Sequence, residues 1–116
     1  MRAIPATVHG ALEIIAAPAI MVAPFVFGFG EAATVISVTL GALLLGLALQ
    51  VEGPRRAVPL SAHAGFDYTL AFTAFVAGIA VGLVTDEWAA GVFLVGVGIA
   101  EVALTASTRF TAPRGA

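Results

Sequence analysis

Four stretches of this chain contain no Asp, Glu, Lys or Arg: residues 14–30, 32–51, 68–85 and 88–100. That pattern limits the fold more than any other feature. A helix that crosses a bilayer needs roughly 20 mainly apolar residues. Allowing one ionisable residue in some spans, the runs extend to four helices: about 6–28, 32–51, 62–84 and 88–108, with a connection at 52–61. Barrel strands would alternate apolar and polar positions, and that alternation is absent. The expected fold is an all-α, four-helix transmembrane bundle, arranged as a single integral membrane domain over residues 1–116.

Composition agrees. The chain is 60% hydrophobic and 10% charged, with a mean hydropathy of +1.07. A soluble domain carries about 25% charged residues. This chain lacks the charge to cover a water-facing surface, so its expected first partner is the lipid bilayer. It has no cysteine, which excludes disulfides, thiolate metal sites and Cys nucleophiles. Its formal charge of −2 gives no reason to expect nucleic acid. Glu13 would interrupt the apolar core of a cleaved leader, so the first helix is expected to be retained.

The charges set an orientation. Arg2 precedes helix 1, Arg55 and Arg56 lie between helices 2 and 3, and Arg109 and Arg114 follow helix 4. With four spans, all five fall on one side. The opposite turns carry Glu31, Asp86 and Glu87 and no Arg. The positive-inside rule then places both termini and the central connection in the cytoplasm. Gly53-Pro54 is expected to end helix 2, Ser61 to cap helix 3, and Asp86 or Thr85 to cap helix 4. Trp88 and the Phe25, Phe27 and Phe29 cluster stand where an outer aromatic belt would lie, and Tyr68 where an inner one would.

Two short stretches carry the chemistry. HAGFD (63–67) and HGALE (9–13) each put a histidine four residues before an acid. Both pairs are offset by 54 residues, as are Gly28 and Gly82, which hints at two tandem helical hairpins. Positions i and i+4 share a helix face. Both pairs open helices that start from the same side. Helix 4 runs back and reaches Glu101 eight residues before Arg109, roughly 12 Å from that end at about 1.5 Å per residue. His9, Glu13, His63, Asp67 and Glu101 are therefore expected to meet in one layer of the inner leaflet.

Cost argues that this layer faces inward. A carboxylate at a helix centre costs about 2.5–3.5 kcal/mol on insertion scales, and less nearer the interface. Facing one another offsets that cost; facing lipid does not. On helix 3, His63, Asp67, Ala71, Ala74, Gly78 and Gly82 form one stripe, and Gly78 and Gly82 make a GxxxG spacing. On helix 4, Gly91, Leu94, Gly98, Glu101 and Thr105 form another. Gly78, Gly82 and Gly98 are the expected close-packing positions. Pro18 and Pro24 are expected to bend or break helix 1 unless neighbours satisfy the freed carbonyls.

The layer supports three readings. As structural glue, His–carboxylate pairs fix helix register, at about 0.6–2 kcal/mol each. As a proton or ion path, it uses groups that often mark relays. Its drawback is the outer half, where only Thr34, Ser37, Thr39 and Thr73 offer polar side chains. As a cofactor site, two His and three carboxylates suit zinc, iron or manganese, and His9 with His63 could also ligate haem. The sequence holds no P-loop, dinucleotide glycine fingerprint or G-x-S-x-G motif.

The stretch APFVFGF (23–29) resembles the SPW repeat, a two-helix unit of small prokaryotic membrane proteins. Ala23 stands for its Ser, Pro24 matches, and Phe25 stands for its Trp. The following TVISVTLGALLLGLAL resembles the unit's second helix, with Gly41 as its mid-helix glycine. The resemblance covers about residues 11–50. Some members carry two units; in the second half of this chain Gly78 stands where the Pro would be. The resemblance implies architecture and membrane location, and no catalytic residue.

The expected protein is thus a multi-pass protein of a prokaryotic cytoplasmic membrane. It is read as structural or accessory, not an enzyme, without a required cofactor, and associating with itself or a larger membrane complex. The alternative is an ion-translocating or metal- or haem-binding bundle built on the polar layer.

Overall fold

The computed structural model describes residues 2–50 and 59–110. Arg55, Arg56, Arg114 and the Gly53-Pro54 helix stop lie outside the described residues. Four helices dominate: α1 (Ala6–Phe27), α2 (Glu31–Ala48), α3 (Leu60–Thr85) and α4 (Trp88–Ala106). They run 22, 18, 26 and 19 residues, and each is long and apolar enough to cross a membrane. At about 1.5 Å per residue α1, α2 and α4 are close to a hydrocarbon core of about 30 Å, and α3 is longer than it by roughly two turns. The spans read from the sequence hold to within three residues at each end.

Two tight turns make two antiparallel hairpins. Gly28 ends α1 in the left-handed region at φ 68°, and its N–H bonds back to the Pro24 carbonyl. Asp86 does the same work after α3 at φ 60°, a conformation Asp tolerates better than most residues. This corrects its expected role: Asp86 ends α3 and does not cap α4. The Thr85 hydroxyl donates to Val81 O and accepts weakly from the Glu87 N–H at 3.3 Å. No side chain caps α4. Ser61 lies inside α3, which begins after Pro59, so it is not a cap either. Pro at that position fixes φ and needs no N–H partner.

Within the hairpins, the backbones come close where side chains are missing. A Cβ on Gly78 would lie 2.6 Å from the Gly91 carbonyl, and one on Gly98 would lie 2.7 Å from the Ala71 carbonyl. Gly82 lies under the Trp88 ring. The three packing glycines read from the sequence therefore all face α4 or α3. In the first hairpin, Gly41 lies against the Ala17 carbonyl.

α1 stays continuous through Pro18 and Pro24. Pro24 has no N–H for the Ile20 carbonyl one turn earlier. The Ser37 hydroxyl of α2 supplies that hydrogen bond, at 2.6 Å, with Ser37 fully buried. Ala23 and Pro24 are buried in the hairpin, while Phe25 points outward at 70% exposure.

The two hairpins touch each other less closely than each packs internally, chiefly along α2 and α3. Leu40, Ala74, Val81 and Leu94 make the shared apolar core. Both ends are tied. At the turn end, the Gly30 N–H donates to Glu87 Oε1 at 2.7 Å, joining one turn to the other. At the opposite end, two-residue strands β1 (Ile4–Pro5) and β2 (Thr108–Arg109) pair in parallel. The Ile4 N–H donates to Ser107 O at 2.9 Å. This clasp was not foreseen from the sequence. It carries Thr108 and Phe110 over the start of α1. Ile15, Val26, Phe72, Leu83 and Val92 are among the large apolar residues that face outward.

Candidate functional site

His9 and Glu13 stand one turn apart on α1, and His63 and Asp67 one turn apart on α3. All four are fully buried. Both histidines present Nε2 to both carboxylates. His9 Nε2 lies 2.8 Å from Asp67 Oδ2 and 3.0 Å from Glu13 Oε1. His63 Nε2 lies 3.0 Å from Asp67 Oδ2 and 3.4 Å from Glu13 Oε1. Each histidine thus contacts the acid of its own helix and the acid of the other hairpin. The 54-residue offset in sequence becomes a reciprocal arrangement in space.

Glu101 of α4 is the fifth member of the layer. Its Oε1 lies 4.0 Å from His9 Nε2 and accepts from the Thr105 hydroxyl at 3.4 Å. It keeps 8% exposure, at an apolar groove between α1 and α4. It also lines a small, partly open cavity of about 10 Å³ with Leu40, Leu44, Leu70 and Ala74 among its apolar neighbours. That volume is at the lower limit for one water. All five residues expected in the layer are therefore brought together, and none points fully into lipid.

Two contributors were missed in the sequence. Thr108 accepts a hydrogen bond from His9 Nδ1 at 2.9 Å, because its own hydroxyl proton is spent on Leu104 O at 2.6 Å. The Nδ1 atom therefore carries hydrogen, and Nε2 is the atom free to titrate or ligate. Phe110 closes the end of the cluster, with ring centroids 5.0 Å from His9 and 5.6 Å from His63. Thr108 continues the 3/4 spacing of the α4 stripe through Gly98, Glu101 and Thr105, a signal that could have found it, whereas Phe110 lies beyond and carries none.

Toward the turn end, the remaining polar side chains are occupied locally. Thr34 donates to Phe29 O, Ser37 to Ile20 O and Thr73 to Thr69 O. Thr39 faces outward. Among the described residues, no chain of polar side chains leads from the layer through the bundle.

The site has the donors for a metal ion. One ligand atom from each of His9, Glu13, His63 and Asp67 can be chosen so that all lie within 4.8 Å of one another. Haem does not fit between the two histidines. Their rings meet edge to face with centroids 5.6 Å apart, and carboxylate oxygens occupy the space in front of both Nε2 atoms. No flat macrocycle can enter there.

Compared with known proteins, the chain matches no family model, no curated protein and no solved structure. The site is therefore read from its own geometry.

Proposed function

We propose that this chain is a small multi-pass membrane protein with a structural or accessory role, whose two hairpins are held together by the His/carboxylate cluster. The observation that carries this reading is the reciprocity of the cluster. His9 of one hairpin contacts Asp67 of the other, and His63 contacts Glu13 in return. The hairpins approach each other less closely than the helices within each do, and beside their shared apolar core these contacts favour one register. In lipid, apolar surface gives helices little drive to associate, and buried polar contacts and close packing take over. Association with a second copy or a larger membrane complex belongs to this reading.

The proposed setting is a prokaryotic cytoplasmic membrane, with both termini inside. Arg2 and Arg109 at one end, against Glu31, Asp86 and Glu87 at the other, support that orientation. The likeness of residues 23–29 to the SPW repeat supports the setting and the hairpin architecture.

Substitution at the cluster tests the role. A clasp predicts that Glu13→Ala or Asp67→Ala lowers stability in detergent, while Glu13→Gln and Asp67→Asn are partly tolerated. A variant set that leaves stability untouched would remove the clasp. Orientation is tested with single-cysteine variants, which are clean because the chain has no native cysteine. Arg2→Cys should be labelled by an impermeant maleimide only from the cytoplasmic face, and Asp86→Cys only from the other.

A further inference from the structure

The cluster has a feature that a set of hydrogen bonds alone does not explain. Two imidazole nitrogens and two carboxylate oxygens converge on one point, and each nitrogen is shared between two oxygens at 2.8–3.4 Å. A hydrogen bond needs one acceptor per N–H. Three further buried atoms of the same residues have no partner among the described residues: Glu13 Oε2, Asp67 Oδ1 and His63 Nδ1. Buried polar atoms are nearly always satisfied, so the two orphaned carboxylate oxygens ask for a missing ligand, whereas His63 Nδ1 lies across the ring from the cluster and is not served by it.

We propose that His9, Glu13, His63 and Asp67 form a binding site for one divalent transition-metal ion of the zinc, iron or manganese class. The donor set is two nitrogens and two oxygens. Neutral imidazole with carboxylate suits these ions, whereas calcium and magnesium take nearly all-oxygen shells. A tetrahedral ion with bonds of about 2.0–2.1 Å separates its ligands by about 3.3–3.4 Å. The four His–carboxylate separations are 2.8, 3.0, 3.0 and 3.4 Å. All four ligand atoms lie within 4.8 Å of one another, which brings the set within reach of a single ion by side-chain adjustment.

Charge supports the assignment. The Glu13 and Asp67 carboxylates offset the charge of a dication, and Glu101 stands beside them as a third acid. The second oxygens, Glu13 Oε2 and Asp67 Oδ1, remain for bidentate coordination. Thr108 does what an outer partner of a ligating histidine does: it accepts from Nδ1 and leaves Nε2 bare toward the ion. Phe110 shields the site from the end of the bundle. Glu101, at 4.0 Å from His9 Nε2, stands outside the four-ligand set.

This inference uses the same side chains as the clasp but is separable from it. The experiment titrates cobalt(II), then zinc, into the full-length chain purified metal-free in mild detergent micelles. The expected result is one ion per chain, with a visible cobalt band that zinc displaces and magnesium does not. His9→Ala with His63→Ala should abolish the band. Thr108→Val should weaken binding about 10–100-fold. Should the double variant fail to fold, Glu13→Gln with Asp67→Asn keeps the side-chain volumes and gives the same readout. Metal at the level of empty micelles, or cobalt binding that survives both double substitutions, overturns the proposal. A metal-free protein that His9→Ala still destabilises would leave the clasp standing and the metal site refuted.

Discussion

His9 Nε2 and Asp67 Oδ2 lie 2.8 Å apart although 58 residues separate them in the chain. This contact joins the two hairpins inside the bundle, with both side chains fully buried. It belongs to a set that also includes Glu13 and His63. The set spans both hairpins, alongside the Gly30–Glu87 bond, the β1–β2 pair and the shared apolar core.

Removing one member should therefore cost more than a surface change. His9→Ala leaves Asp67 and Glu13 buried with only His63 between them. Breaking a buried pair in this way costs about 3–5 kcal/mol in soluble proteins. The expected result is a clear loss of resistance to denaturing detergent. Phe72→Ala, at a 68% exposed position, is the control and should change stability by less than about 0.5 kcal/mol.

The Ser37–Ile20 contact makes a conditional prediction. Ser37→Ala leaves the Ile20 carbonyl unsatisfied because Pro24 has no N–H, and should cost about 1–3 kcal/mol. Adding Pro24→Ala returns a backbone N–H to that carbonyl. The double variant should then be more stable than Ser37→Ala alone. Unfolding of the three variants in parallel detergent titrations checks this.

Glycine positions separate close packing from open surface. Gly78→Ala places a methyl against the Gly91 carbonyl and Val95, and should cost about 1–3 kcal/mol. Gly96 has nothing within 4 Å of an added Cβ. Gly96→Ala should be neutral or raise stability by up to about 1 kcal/mol through helix propensity. Equal effects at the two positions would contradict the α3–α4 contact.

Glu87 ties the two turns through the Gly30 N–H. Glu87→Ala removes that bond and should lower stability by about 1–2 kcal/mol, less than His9→Ala does. Glu87→Gln keeps an acceptor oxygen and should recover part of the loss. Thermal unfolding in micelles reads both.

Much of this was legible in the sequence, for a physical reason. Charge is so costly in lipid that uncharged runs mark helices directly, and ionisable residues mark where helices meet. Every residue of the stripe from His63 through Asp67, Ala71 and Ala74 to Gly78 and Gly82 is buried, as is the α4 stripe through Gly91, Gly98 and Glu101. The role of Ser37 carried a signal too. Ile20 lies eight residues before Gly28 and Ser37 seven after Gly30, so a hairpin turning there puts them level.

Other features had no such signal. Phe110 reaches the site because β2 pairs with β1, and two-residue strands have no readable period; Thr108, by contrast, extends the spacing of Glu101 and Thr105. Helix caps failed as readings for a related reason. Asp86 is drawn into the left-handed position that ends α3, and Pro59 starts α3 before Ser61 is reached. Local propensity gave way to turn geometry at both points.

The most direct test of the central claim is a double-mutant cycle between His9 and Asp67. Unfolding free energies would be measured in one detergent for the wild type, His9→Ala, Asp67→Ala and the pair. The clasp predicts coupling: the double variant loses less than the sum of the singles, by roughly 0.5–2 kcal/mol. Additivity within about 0.3–0.5 kcal/mol would mean that the two side chains do not act together. The hairpins would then be held by something other than this contact.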